Sequence, residues 1–163
     1  MAINFVLKLV AEGSDVTGES QDGKYPGWID VMAYEFSGQN ATSVQGGAPR
    51  ISGGTTMGLF ILRKLADRAS PLIFKALTNR DRCKATLVLR KSGGEMEDYM
   101  RIILDGARVV KFIQGNIASG TETPEEEVHL SYDSVTMVYD VQDQKTGITR
   151  GGIEHTWEFS RAG

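Results

Sequence analysis

The sequence predicts a mainly β protein: a compact antiparallel β-barrel or two-sheet sandwich with one short α-helix near residues 70–79 and a long extended loop near 37–56. Three observations lead there. Glycine supplies 19 of 163 residues, well above the usual share of about 7%, and such an excess marks many turns. Most apolar segments alternate with a period of two, the spacing of a strand with one face buried. A single stretch carries the start signal and apolar stripe of a helix. At this length the chain is expected to form one domain spanning residues 1–163.

The elements follow in order. Ile3, Phe5, Leu7 and Leu9 alternate with Asn4, Val6 and Lys8, which predicts a first strand. Residues 11–27 are broken by Gly13, Gly18, Gly23, Pro26 and Gly27 and read as loop. From Trp28 to Phe36 alternation returns, with Trp28, Met32, Tyr34 and Phe36 on one side and Ile29, Val31 and Ala33 on the other. Residues 37–56 are polar and Gly-rich; a loop of that length inside a compact domain usually has a function of its own.

Met57 to Leu65 fits both periods, but Met57, Leu59 and Ile61 favour a strand because a better helix follows at once. Ser70 suits the N-cap, Pro71 the first helical position, and Leu72, Ile73, Ala76 and Leu77 one apolar stripe, with Asn79 as the stop. Arg82 to Lys91 is a strand ending in the turn Ser92-Gly93-Gly94. Asp98 to Ile113 is long and apolar on both faces, so its outer face needs cover from the helix or from another subunit; Gly106 marks a bulge or bend. In Glu127 to Val141 the apolar residues slip by one position near Asp133-Ser134, as a β-bulge requires. After a loop at 142–152, Ile153 to Phe159 is the closing strand.

Charge and composition narrow the function classes. The net charge of −3 provides no basic excess to neutralise phosphates, which argues against nucleic acid as a partner. No run of 18 apolar residues offers a membrane span. Residues 1–13 lack the basic leader, apolar run and cleavage site of a signal peptide. Cys83, the one cysteine, precludes an internal disulfide and fits folding in a reducing cytoplasm. Export, if it occurs, is expected by a route without a cleaved leader.

Reactive groups are sparse. His129 and His155 both fall in predicted strands, and nothing around Cys83 suggests an activated thiol. No Ser lies in a G-x-S-x-G elbow, and Gly46-Gly47 and Gly53-Gly54 belong to no phosphate-binding loop. Asp140 and Asp143 lack the spacing of a calcium loop, and two histidines with one cysteine make a poor zinc set. Asn40-Ala41-Thr42 has the form of a glycosylation triplet, of a kind expected about once by chance. Glu125-Glu126-Glu127 reads as a solvated start of a strand. The expectation is a scaffold without catalytic residues, metal or cofactor.

Several segments together resemble one family. Gly18-Glu19-Ser20-Gln21-Asp22 followed by Gly27-Trp28-Ile29-Asp30-Val31 is similar to the G-E-S-x-D loop and I-x-V strand of the haemolysin-coregulated proteins (Hcp) of bacterial type VI secretion systems. Ala69-Ser70-Pro71 resembles the A-S-P start of that family's single helix. Ala85-x-Leu87-x-Leu89-Arg90-Lys91-x-Gly93-Gly94 resembles its strand and turn, with Tyr99, Ile102 and Leu104 following. Val128-x-Leu130-x-Tyr132, with Val135 and Tyr139, resembles a later strand, and Trp157 stands where the family places a tryptophan in the closing one. The ordered set runs from about residue 3 to 160. Tyr25-Pro26 departs from the family's histidine region, and residues 37–56 differ in residue type.

The resemblance implies a β-barrel subunit of a homohexameric ring. Such rings stack into the inner tube of a contractile machine, inside a sheath and under a tip spike protein, and some carry effector proteins in the lumen. It also implies a cytoplasmic subunit that is later secreted. A closed ring needs two different patches meeting head to tail. Ile103, Val110 and Phe112 on the doubly apolar strand are the candidate subunit interface. Gln39, Gln45, Gly46, Gly47 and Arg50 in the long loop are the candidates for ring stacking. A phage-like contractile-tail tube protein and a small-ligand-binding β-barrel stand as alternatives.

Overall fold

A computed structural model describes residues 5–91, 97–115, 122–142 and 149–159. Its elements are β1 (Phe5–Ala11), β2 (Ser14–Val16), β3 (Ile29–Val31), β4 (Ala33–Glu35), β5 (Gly38–Gln45), β6 (Ala48–Met57), β7 (Phe60–Leu65), α1 (Ser70–Asn79), β8 (Cys83–Lys91), β9 (Glu97–Gly115), β10 (Glu125–Ser131), β11 (Ser134–Gln142) and β12 (Thr149–Glu158). The expected mainly β class with one helix is what forms. The turn expected at 92–94 and most of the loop expected at 142–152 lie outside the described residues.

All described pairings are antiparallel. One hydrogen-bonded path runs β2-β1-β8-β9-β10-β7-β4, with β11 joined to β9, β12 to β11 and β3 to β1. It does not close into a continuous barrel. The segment expected as one strand from Trp28 to Phe36 is divided between the two flanks: Ile29–Val31 pairs with β1, and Ala33–Glu35 pairs with β7. Between them Met32 donates its N–H to Arg63 O at 2.8 Å. The inward face slips by one residue there, since Ile29 and Val31 are buried while Tyr34 and Phe36 pack on the core beyond the break.

β9 organises the rest. Its first half pairs with β8 on one side and with β11 on the other; its second half pairs with β10. Gly106, at φ +60, sits where the partner changes, in the left-handed region open to glycine at no cost. The slip near Asp133 is accordingly a corner between two strands, not a bulge within one. Asp133 N–H donates to Asp105 O at 2.9 Å and holds that corner.

The core draws on both flanks: Leu7, Leu9, Ile29, Phe60, Leu62, Leu87, Ile102, Leu104, Val128 and Leu130 form one apolar cluster that Ile73 and Ala76 of α1 complete. The helix has its expected limits but not its expected cap. Ala69 is the N-cap residue, and its methyl group can make no cap bond; Ser70, the first helical residue, instead donates its hydroxyl to Glu126 at 2.7 Å. Residues 37–56, expected as loop, are ordered as the hairpin β5–β6, which forms a two-stranded sheet of its own. Gly46 and Gly47 make its tip with φ of +64 and +81, the pair of positive values that a type I′ turn requires.

Candidate assembly surfaces

Of the candidate reactive groups, His129 is engaged with Glu127, Cys83 is buried, and His155 is exposed on β12. His129 Nε2 lies 2.6 Å from Glu127 Oε1, and Arg63 Nε lies 3.4 Å from the other oxygen of that carboxylate. The hydrogen bond from His129, aided by the charge of Arg63, holds the Glu127 carboxyl below its ordinary range. Burial pushes the Cys83 thiol up to about 11, helped by Asp81 and Glu12, so the side chain is a poor nucleophile. Among the described residues no three metal-ligating side chains converge.

Glu126 departs from expectation. The Glu125-Glu126-Glu127 run was expected in solvent, yet Glu126 faces inward and is buried. Strand alternation explains this: Val128 and Leu130 share its face, whereas Glu125, Glu127 and His129 share the other.

The candidate interface residues do not form one patch. Ile103 is half-buried in the middle of the sheet, with Thr86 and Thr136 as its cross-strand partners. Val110 is 46% exposed. In the β9–β10 register Leu130 faces Val109 and His129 faces Lys111, so Val110 is the extra residue of a β-bulge. That bulge returns Phe112 to the inner face, opposite Val128, where it packs on the core with its ring 6.4 Å from that of Phe74. Phe112 is thereby separated from Ile103 and Val110.

The apolar residues left in the open include some that pattern alone assigns to the core. Ile153 is 70% exposed and Phe74 55%. Ile153 pairs across the ladder with Tyr139, whose ring lies 6.3 Å from that of Tyr99. The strip Tyr99–Tyr139–Ile153 reaches β12, whose described pairing is with β11 alone. Burial of such a strip against another chain is favourable at about 25 cal/mol per Å² of apolar surface.

The stacking candidates fall on the hairpin. Gln39 pairs with Thr56, Gln45 with Ala48 and Arg50 with Ser43, while Gly46 and Gly47 form the tip. Asn40 accepts a hydrogen bond from the Thr55 hydroxyl at 2.6 Å, a cross-strand tie near the base. The side chains of Gln45 and Arg50 lie outside what is described.

A family model described as "Type VI secretion system effector, Hcp" matches residues 7–139. The chain belongs to the Hcp family. Solved Hcp structures share its fold. A structure of a type six secretion system protein superposes with a TM-score of 0.80 at 23% identity, covering 94% of this chain and 95% of that one. Hcp1 from E. coli EAEC 042 pathovar, as a double mutant, gives 0.77 at 24% identity, covering 96% and 99%. The secreted protein Hcp3 from Pseudomonas aeruginosa gives 0.67 at 18% identity, covering 97% and 100%. No curated protein sequence matches. Membership makes this Hcp chain a β-rich structural protein of type VI secretion, a family of secreted proteins. Among the described residues no helix is long and apolar enough to cross a membrane.

Proposed function

We propose that this Hcp chain is the subunit of a homohexameric ring, that the rings stack into the inner tube of a type VI secretion machine, and that the tube is secreted. The observation that carries the reading is the β5–β6 hairpin, an ordered element outside the main sheet whose described residues are almost all exposed. A ladder with its own glycine turn and a cross-strand Asn40–Thr55 bond is built to hold its shape away from the core. Its natural destination is a neighbouring ring. Ile103, Val110 and the Tyr99–Tyr139–Ile153 strip serve contacts around the ring, with Phe112 supporting them from within. The tip spike, the surrounding sheath and effector proteins in the lumen are the further partners of such a tube.

The interior favours this reading over a ligand-binding barrel, since side chains of β1, β7, β8, β9 and β10 meet there in one cluster. The experiment is to shorten the hairpin tip around Gly46-Gly47 and to compare particles by light scattering and negative-stain imaging. Rings that persist without tubes support the assignment; unchanged tubes overturn it.

A further inference from the structure

Residues 17–28, between β2 and β3, fold back on themselves. Gly18 N–H donates to Gly27 O at 2.8 Å, Gly27 N–H to Ser20 O at 3.1 Å, and Ser20 N–H to Trp28 O at 2.9 Å. The main chain of this segment bonds mostly to itself, so its attachment to the sheet falls to side chains. Those side chains converge on one place. Arg90 of β8 is 5% exposed; its guanidinium is bonded to the Asp22 carboxylate and donates from Nε to Asp98 Oδ1 at 2.9 Å. The Tyr25 hydroxyl donates to Asp98 Oδ2, and Lys24 Nζ donates to that same oxygen at 2.8 Å. The Tyr25 ring lies 5.3 Å from the Arg90 guanidinium and 4.5 Å from the Trp28 ring. Asp22 also accepts from Lys24 N–H at 2.9 Å and so shapes the turn that presents Tyr25.

The face of β8 that carries Arg90 is apolar beside it. Val88 and Arg90 alternate with Leu87 and Leu89, which point into the core, so they share the opposite face of β8. Val88 and its cross-strand partner Val6 are each 1% exposed, yet neither belongs to the core cluster. We propose that residues 17–28 are a strap, closed over Val6 and Val88 by the Asp22–Arg90–Asp98–Tyr25 clasp, and that breaking the clasp opens the strap as a unit while the sheet stays folded. A segment with self-contained main-chain bonds, whose described side-chain bonds to the sheet gather at one place, is the kind that opens sub-globally. The clasp acts within one subunit and is independent of ring assembly.

Charge sets the condition for opening. Burial works to raise the carboxyl of Asp98, but hydrogen bonds from Lys24 and Tyr25 and the charges of Lys24 and Arg90 outweigh it and hold the group below its ordinary value of 3.8. Asp22 is lowered likewise: burial raises it, and the Lys24 N–H and Arg90 overcome that. Among the described residues, further charges near the clasp are Arg101 of β9, which acts on Tyr25, Asp140 of β11, 3.6 Å from Arg101, and Glu19 and Arg68, which line the same pocket as Asp22. A carboxyl whose folded value is lowered contributes stability that is present above its unfolded value and lost as pH falls through the folded one. The strap is therefore closed at neutral pH and opened by strong acid.

Two measurements on the full chain test this. Trypsin cuts after Lys24 only when the strap is open. Tyr25→Phe removes one charge-assisted hydrogen bond and is expected to speed that cut about tenfold at neutral pH, with cuts elsewhere unchanged. Asp98→Asn should speed it further. An unchanged rate after Lys24 in Tyr25→Phe, or equal acceleration at every site, overturns the proposal. In a Trp157→Phe background, Trp28 emission reports the strap alone, and acid should shift it at a higher pH than it shifts the far-UV circular dichroism of the sheet. Coincident transitions overturn it.

Discussion

Lys64 and Glu126 meet at 2.5 Å with neither side chain open to solvent. Every polar atom of the pair has a partner. Lys64 Nζ also donates to Leu65 O and to Asp67 Oδ1, each at 2.9 Å, while Glu126 Oε1 accepts from Ser70 at 2.7 Å and Oε2 from Gln114 at 2.8 Å. These bonds join β7, β9 and β10 to the start of α1, and so fix the helix on the sheet. A buried ion pair is weak evidence for net stability, but its loss on one side is costly.

Glu126→Ala is accordingly expected to destabilise the fold by about 3 kcal/mol, because it takes from the buried Lys64 ammonium the nearer of its two carboxylate partners, leaving Asp67, and takes from Gln114 its acceptor. The midpoint of urea unfolding measures this. The double replacement Lys64→Met with Glu126→Leu should recover most of the loss. If the double variant is as unstable as the single one, the pair contributes through something other than mutual satisfaction.

Gly106 admits no side chain. A Cβ built there collides with Asp133 Oδ2, the same atom that lies 3.1 Å from Arg82 in a salt bridge, and the backbone φ of +60 is strained for any other residue. Gly106→Ala is expected to cost about 2 kcal/mol or more, since it adds backbone strain and displaces the corner that aims β11 at β9. Thermal unfolding reads the loss. Gly13→Ala is the control: it has φ +79 but open space around it, and so carries the strain without the collision.

What the sequence makes legible follows from where its signal is local. Strands with one buried face announce themselves by alternation, as in Ala85, Leu87 and Leu89, and α1 is bounded by Pro71 and Asn79. The hairpin escapes because, Met57 at its base apart, its described residues are exposed and its polar and glycine residues carry no apolar rhythm; Gly46-Gly47 is the available signal, the dipeptide of a two-residue turn. The inward placement of Phe112 is illegible for a different reason. One bulge residue, Val110, reverses every inward and outward assignment beyond it, and nothing in the apolar run Val109-Val110 says which residue is extra. Ile153 has the alternation of a core residue, and only the extent of the sheet past the core leaves it exposed. The clasp at Arg90 joins residues 68 positions apart in the chain and has no local trace.

Cys83 should be nearly inert in the folded chain. With its thiol pushed up to about 11 from 9.0, its thiolate fraction at pH 8 is about a hundredfold below that of a free cysteine. Alkylation at pH 8 is expected to be slow in buffer and fast in denaturant, and in buffer to accelerate as pH climbs toward that value. Because the folded state favours the neutral thiol, this group also lowers stability as pH rises past the unfolded value of 9.0. Rapid modification of the native protein at pH 8 would contradict the burial of this side chain.

Ring contacts can be separated from folding because two of the residues assigned to them are already in water. Val110 stands out at a bulge, and Ile153 lies on a strip at the β12 flank, so a lysine at either position meets solvent within the subunit and should leave its unfolding midpoint within about 0.5 kcal/mol of the parent. In the proposed ring, that same lysine would be driven into an apolar contact without a partner, at a cost of several kcal/mol per subunit. Val110→Lys and Ile153→Lys are therefore expected to remain folded by circular dichroism while light scattering falls to the mass of one subunit. Ile103→Lys is the contrasting variant: Ile103 is half-buried, and a charge there should weaken the subunit as well as the ring. Full-sized rings in both Val110→Lys and Ile153→Lys would place the contact surface elsewhere on the molecule.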